Sequence, residues 1–264
     1  MRIDIATLFP EMCEAVLSTS IIGRARRAGF IEIYCHNIRD YSEDKHQRVD
    51  APPYGGGHGM LMQADPIYLC YQDICLDLPR QPHVVYMSPQ GRPLTQKRAV
   101  ELSKMENILI LCGHYEGVDQ RVLDEIVDEE ISLGDFVLTG GELAALALVD
   151  CVGRLCPGVL KDESCFTEES HWDGLLEYPQ YTRPPVWHGR EVPEILLSGH
   201  HENIARWRRE RSLECTWRKR PDLLKKAKLD KREREYLAKL STQMGSQIPS
   251  WEFFPDQENG SEEE

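Results

Sequence analysis

Residues 131–155, ISLGDFVLTGGELAALALVDCVGRL, constrain the fold more than any other stretch. An extended apolar run breaks at Gly134, resumes as Phe136-Val137-Leu138, and stops at Gly140-Gly141. Glu142 then opens a nearly unbroken Leu/Ala run to Asp150. Ala and Leu are the strongest helix formers, and a first-turn Glu faces the positive end of the helix dipole. The order is therefore strand, glycine-punctuated loop, buried helix. Glycines let a second backbone or a ligand approach closely, and a helix N-terminus leaves N–H groups unpaired. The stretch reads as a binding loop.

The same unit recurs upstream. His83–Met87 is a buried strand that ends in the turn-rich segment Ser88–Pro93, and a helix over Leu94–Met105 follows with Thr95 as N-cap. Asn107–Cys112, NILILC, is a second buried strand, ending at Gly113-His114-Tyr115-Glu116-Gly117 before a helix to Ile126. Nearer the start, Arg2–Phe9 reads as a strand, Glu11–Arg27 as one helix closed by Gly29, and Phe30–Cys35 as a strand. His36–Pro53 reads as a polar loop, and Asp65–Leu76 as a helix. Strands alternating with helices predict an α/β fold with a parallel sheet. Ligands bind beyond the carboxyl ends of such strands, so the loops at Gly91, Gly113 and Gly134 are expected to converge on one pocket. Neither the dinucleotide fingerprint nor the phosphate loop of nucleotide triphosphatases is present.

No apolar run reaches the ~18–20 residues of a membrane span, and the N-terminus reads as a strand rather than a secretion signal. Nine cysteines, an odd number with no C-x-x-C pair, point to free thiols in a reducing cytoplasm. The net charge of −13 is uneven: residues 206–239 hold 14 Lys/Arg and 6 Asp/Glu, a local net of +8. A basic segment on an acidic chain suits a polyanionic partner. After Pro157-Gly158, residues 161–173 read as an acidic linker and 174–185 as irregular, proline- and tyrosine-rich chain. The basic helical region starts at Glu202, breaks at Pro221 and resumes as a helix from Asp222. Residues 241–264 read as an acidic, disordered tail.

Taken in order, PPYGGGHGMLMQADP (52–66), MSPQGRPLTQ (87–96), LCGHYEGVDQRV (111–122), EISLGDFVLTGGELAALALVD (130–150), LLEYPQYTRP (175–184) and SGHHENIARWRRERSLECTWRKRPDLL (198–224) closely resemble the bacterial tRNA (guanine-N1)-methyltransferases. These act on the guanosine just 3′ of the anticodon. The resemblance runs to about residue 224 and implies a SPOUT fold. That fold is an α/β domain with a parallel sheet and a C-terminal trefoil knot, here over residues 1–160, followed by a small helical tRNA-binding domain over 174–240. It implies a homodimer with the active site across the interface. The cofactor would be S-adenosylmethionine, held by Ser88, Pro89, Gly91, Gly113, Tyr115, Glu116, then Ile131, Ser132, Leu133, Gly134, Asp135, Phe136, Val137, Leu138, Gly140 and Gly141.

Guanine N1 carries a proton at neutral pH, so methylation needs a general base and a donor near O6. Arg154 matches the family's functional arginine; its bland alternative is a helix-terminal surface Arg. The family has Asp followed by Ser shortly before GLL, and counting back from Gly174 puts Glu169-Ser170 there. Glu169 is thus the expected base, one methylene longer than the pattern, with Glu168, Asp173 and Glu177 as alternatives. RNA would meet Tyr54, Gly55, His58, Gly59 and Met60 around the flipped guanine, and Arg206, Arg208 and Arg209 along the phosphates. Trp207 and Trp217 read as core. Mg²⁺ is compatible with the resemblance, with Glu116, Glu169 and Glu177 as neighbouring acids, but no ligand spacing demands a metal. A ribose- or ribosomal-RNA-directed knotted enzyme would lack the PPYGGGHGM and LLEYPQYTRP stretches. A non-catalytic RNA-binding protein would lack an intact cofactor loop or Arg154.

Overall fold

The computed structural model describes residues 1–162 and 164–243. The chain forms two compact units that divide after Asp162. The first unit runs β1 (Arg2–Thr7), α1 (Pro10–Leu17), α2 (Ser20–Arg27), β2 (Glu32–Asn37), β3 (Asp50–Ala51), β4 (Leu61–Met62), α3 (Ala64–Leu76), β5 (His83–Pro93), α4 (Gln96–Leu102), β6 (Asn107–Cys112), α5 (Gln120–Ile126), β7 (Glu129–Ser132) and α6 (Glu142–Gly153). Five of these strands form the expected parallel sheet, in the order β2-β1-β6-β5-β7.

Side chains alternate across each strand, and both faces are covered. Ile108, Ile110, Val85 and Met87 pack with Leu17, Ala25, Ala99, Leu102 and Leu148 of α1, α2, α4 and α6. Leu109, Leu111, Val84 and Tyr86 pack with Ile67, Ile74, Val122 and Ile126 of α3 and α5. Burial on both faces is why NILILC carries no polar residue after its first position.

The structure corrects several expectations. Glu11–Arg27 is two helices, not one. The Thr19 hydroxyl donates to Val16 O at 2.7 Å, Ser20 adopts φ +52°, and the chain turns between Leu17 and Ser20. Hydroxyl side chains compete in this way with helical backbone bonds. The turn is tight enough that a Cβ on Gly23 would lie 2.1 Å from the Ser18 carbonyl oxygen. Ser88–Pro93 is not a plain turn either. β5 bulges after Met87 and returns, so that Met87 and Arg92 both pair with Ile131 and Pro93 pairs with Ser132. Gly91 makes the return feasible, since a Cβ there would lie 2.5 Å from the Glu130 carbonyl carbon. The polar segment 36–53 holds a 3-10 turn over Ile38–Tyr41, with the Asn37 side chain capping Arg39 N at 3.1 Å, because Ile38 and Val49 are buried beneath it. β3 and β4 pair antiparallel and bracket residues 52–60.

The second unit contains α7 (Ser164–Thr167), β8 (Val186–Trp187), β9 (Arg190–Glu191), α8 (Glu194–Leu197), α9 (His201–Lys219), α10 (Pro221–Leu224) and α11 (Lys231–Gln243). Its core is Leu175, Leu213, Trp217, Leu224 and Leu237. Trp217 is core as expected, while Trp207 is half-buried near Tyr181, 6.4 Å between ring centroids. The segment read as a linker is ordered locally: Phe166 packs on Trp172 at 5.1 Å, and Asp173 pairs with Arg209. The helix expected from Asp222 stops at Leu224. It restarts at Lys231 because Asp230 and Glu233 exchange side-chain-to-backbone bonds of 2.8 Å, a capping box. α11 runs to Gln243, into the region read as tail, and residues 244–264 lie outside the described residues, as does Glu163. Among the described residues no helix is long and apolar enough to cross a membrane.

Gly91→Ala should lower the unfolding free energy by about 1–3 kcal/mol in urea titration, because neither backbone can move aside. An unchanged midpoint would mean that β5 and β7 are not held in close contact at Gly91.

Candidate cofactor cleft

A cleft of about 270 Å³ opens at the carboxyl ends of β5, β6 and β7. Its walls are three loops that touch through their backbones. Gly141 N donates to Gly113 O at 2.8 Å, and His114 bridges antiparallel to Gly140. A Cβ on Gly141 would lie 2.8 Å from Cys112 Cα, and one on Gly113 would lie 2.7 Å from the Tyr86 hydroxyl. The Ser132 hydroxyl donates to Gly134 O at 2.9 Å and accepts from Gly134 N at 3.1 Å, folding the chain back after β7. Gln90 N donates to the Ser88 hydroxyl at 3.1 Å, shaping the bulge of β5.

The glycine-rich loop between β3 and β4 bonds to the Gly113–Gly117 loop beside the cleft, and Leu61 of β4 joins the lining. Met60 O accepts from Glu116 N at 3.0 Å, and Met62 N donates to Gly117 O at 2.9 Å. At Gly59, φ is +80° and a Cβ would lie 2.3 Å from Glu116 Cγ, so only glycine suits both demands. Tyr54, at the tip of this loop, is 99% exposed.

A buried polar chain adjoins the cleft through His114. Glu142, in the first turn of α6, is 3% exposed, and its carboxylate accepts from the Thr7 hydroxyl at 2.8 Å. Its other oxygen stands 4.0 Å from His114 Nδ1. The His114 ring lies between Phe9, 5.0 Å away, and Tyr115, 5.1 Å away and edge-on. Burial pushes the Cys112 thiol well above its ordinary range and raises the Tyr86 phenol.

A sequence profile of the tRNA (Guanine-1)-methyltransferase TrmD family matches residues 1–226. The chain is 57% identical over 226 residues to the tRNA (guanine-N(1)-)-methyltransferase of Ruminiclostridium cellulolyticum, covering 86% of this chain and 97% of the relative. It is 51% identical to the enzymes of the same name from Alkaliphilus oremlandii, covering 92% of this chain and 99% of the relative, and Moorella thermoacetica, covering 94% and 100%. The chain belongs to the tRNA (Guanine-1)-methyltransferase TrmD family.

Of the cofactor residues that the resemblance to this family implies, thirteen line the cleft: Ser88, Pro89, Gly113, Tyr115, Glu116, Ile131, Ser132, Leu133, Phe136, Val137, Leu138, Gly140 and Gly141. Gly91 and Gly134 act on its shape instead, and Asp135 is not among the lining residues. Phe136-Val137-Leu138, which the apolar run suggested as more strand, is an exposed lip, with Val137 81% exposed. Tyr86, Gln90, His114 and Gln120 also line the cleft and were missed. Tyr86 had a legible signal, a lone phenol in the apolar strand HVVYM; His114 sat inside a named loop.

The remaining site residues lie elsewhere. Arg154 caps the C-terminus of α6, with its backbone N–H on Asp150 O at 3.2 Å. The 12 residues of α6 between them set it about 20 Å along the helix from Gly141. Glu169 and Arg206, Arg208 and Arg209 belong to the second unit. Arg209 is paired with Asp173 and, at 2.6 Å, with Glu233; Arg208 lies over the Tyr178 ring at 4.9 Å. Arg206 is exposed, with Asn203 Oδ1 3.3 Å from its guanidinium.

Thr7→Val should leave the buried Glu142 carboxylate without its 2.8 Å donor. The expected loss is about 1–3 kcal/mol of stability by denaturant titration, with Thr7→Ser close to wild type. Equal stability of all three would show that the Thr7–Glu142 bond is not what anchors α6 to β1.

Proposed function

We propose that this chain is a tRNA methyltransferase. It transfers a methyl group from S-adenosylmethionine to N1 of a guanosine, the one just 3′ of the anticodon. Its relatives are named for methylation at guanine N1 of tRNA. The observation that carries the reading is the backbone-walled cleft at the ends of β5, β6 and β7 in a chain of that family.

The cleft fits the cofactor's chemistry. Leu133, Val137 and Leu138 offer apolar surface for a purine face, and Ser88, Ser132 and the peptide groups of Gly113 and Gly140 offer polar contacts. A side chain at Gly113 would meet Tyr86, so this wall is backbone by necessity. Bound there, S-adenosylmethionine supplies an electrophilic methyl group on a sulfonium. We read the bulge of β5, the Gly113 loop and the β7–α6 loop as parts of a trefoil knot. The close packing of Gly91 on β7 and of Gly141 on the end of β6 suits a chain threaded through its own loops.

The chain's own groups then do the following. Glu169 takes the N1 proton, leaving a nucleophilic lone pair. Arg154 donates to guanine O6, where negative charge develops. Asp173, the alternative base, accepts from Leu175 N at 3.2 Å and pairs with Arg209. Arg154 stands farther from its own cleft than an arginine side chain reaches, so the reading requires a homodimer. There the partner subunit's Arg154 completes each site. The loop of Tyr54, Gly55, His58, Gly59 and Met60 receives the flipped guanine by stacking, and Arg206 and its neighbours meet phosphates. Among the described residues no three His, Cys, Asp or Glu side chains stand together as a metal site.

Labelled S-adenosylmethionine and two tRNA transcripts, with G or A just 3′ of the anticodon, test the reading. Label should enter only the G transcript. Glu169→Gln should lower kcat by roughly 10²–10⁴-fold, the usual contribution of a general base, while Asp173→Asn keeps most of it. Label in both transcripts, or the reverse order of the two variants, would contradict the assignment.

A further inference from the structure

Residues 181–191 of the second unit are all exposed, yet they hold an ordered hairpin. Val186 pairs with Glu191 and Trp187 with Arg190 across β8 and β9, and Val192 N closes the ladder on Pro185 O at 2.9 Å. The two turn residues, His188 and Gly189, have φ of +50° and +74°, the left-handed pair that a tight two-residue hairpin turn requires. The hairpin presents an indole 61% open to solvent, with the His188 ring edge-on to it at 4.4 Å. Tryptophan seldom stays this exposed without a partner, since it carries the largest apolar surface of any side chain.

The pleat decides what the partner is. Residues opposite each other in a hairpin share a face, and successive residues alternate. Trp187 and Arg190 therefore project from one face, and Val186 and Glu191 from the other. The tryptophan face carries a cation and no acid. Trp and Arg are also favoured at protein–protein interfaces, but an aromatic plane beside a guanidinium is how single-stranded nucleic acid is held, and the substrate of this family is a tRNA. We propose that this hairpin is a nucleotide platform: an unpaired base of the tRNA stacks on Trp187, and Arg190 takes the adjoining phosphate. The proposal rests on the tRNA reading above and adds an RNA contact that the glycine-rich loop and the α9 arginines do not supply.

Trp187→Ala, Trp187→Phe and Arg190→Ala test it in the full chain. The readouts are KM for tRNA, kcat, S-adenosylmethionine affinity by calorimetry, and mass in solution by light scattering. Trp187→Ala should raise KM for tRNA roughly 5- to 100-fold, as loss of one base stack does, with cofactor affinity and mass unchanged. Trp187→Phe should recover most of the loss. Arg190→Ala should reduce the salt dependence of tRNA binding by about one phosphate contact. A KM within twofold of wild type for Trp187→Ala overturns the platform while leaving the enzyme reading intact. A halved mass for that variant overturns it in favour of a contact between copies of the chain. A wild-type chain that neither binds nor methylates tRNA overturns the enzyme reading itself.

Discussion

Backbone packed directly on backbone is the constraint from which the first unit follows. At Gly91, Gly113 and Gly141 a single added carbon would collide with β7, with Tyr86, or with the end of β6. Three loops can meet in so small a space only if they bring no side chains to the meeting. What they bring instead is peptide groups, and the Gly141–Gly113 bond shows them already joined. The resulting wall is rigid and polar, open on one side to the apolar lip at Phe136–Leu138. A wall of this kind suits a ligand that is part purine and part amino acid. Close packing below it, through Thr7 and Glu142, ties the first turn of α6 to β1.

The same geometry divides the chemistry. α6 carries the cleft at its N-terminus and Arg154 at its C-terminus. A helix is a stiff spacer. In the proposed reading, that separation assigns the cofactor half and the guanine half of the site to different subunits. The charge asymmetry agrees with a polyanionic substrate, since residues 206–239 of the second unit hold 14 Lys/Arg against 6 Asp/Glu. That unit has a small core around Leu213 and Trp217, and its Arg209 and Arg218 are paired with acids.

The parts legible in the sequence were those set by local chemistry. NILILC could only be a strand buried on both faces, Thr95 capped the helix it was expected to cap, and the Gly140–Gly141 pair opened α6. The misses arose where tertiary contacts overrode a local pattern. The helical periodicity of Glu11–Arg27 conceals a turn made by the Thr19 hydroxyl, and Ser88–Pro93 reads as a turn until β7 is present to pair with it. In the site, glycines marked the loops, but the packing of Tyr86 against Gly113 and the approach of His114 to Glu142 are set by the fold. Glu142 looked like a helix-dipole residue; its burial against Thr7, 135 residues away in sequence, is a property of the fold alone.

Subunit mixing tests the divided site most directly. Gly113→Val should disable the cofactor cleft, and Arg154→Ala the guanine end, so each homodimer should be inactive toward tRNA. Refolded together in equal amounts, half of the dimers carry one of each, and each of these has one intact site. The account predicts recovery of about a quarter of wild-type methyl transfer. No recovery, with mixed dimers shown to form, would contradict a site shared between subunits.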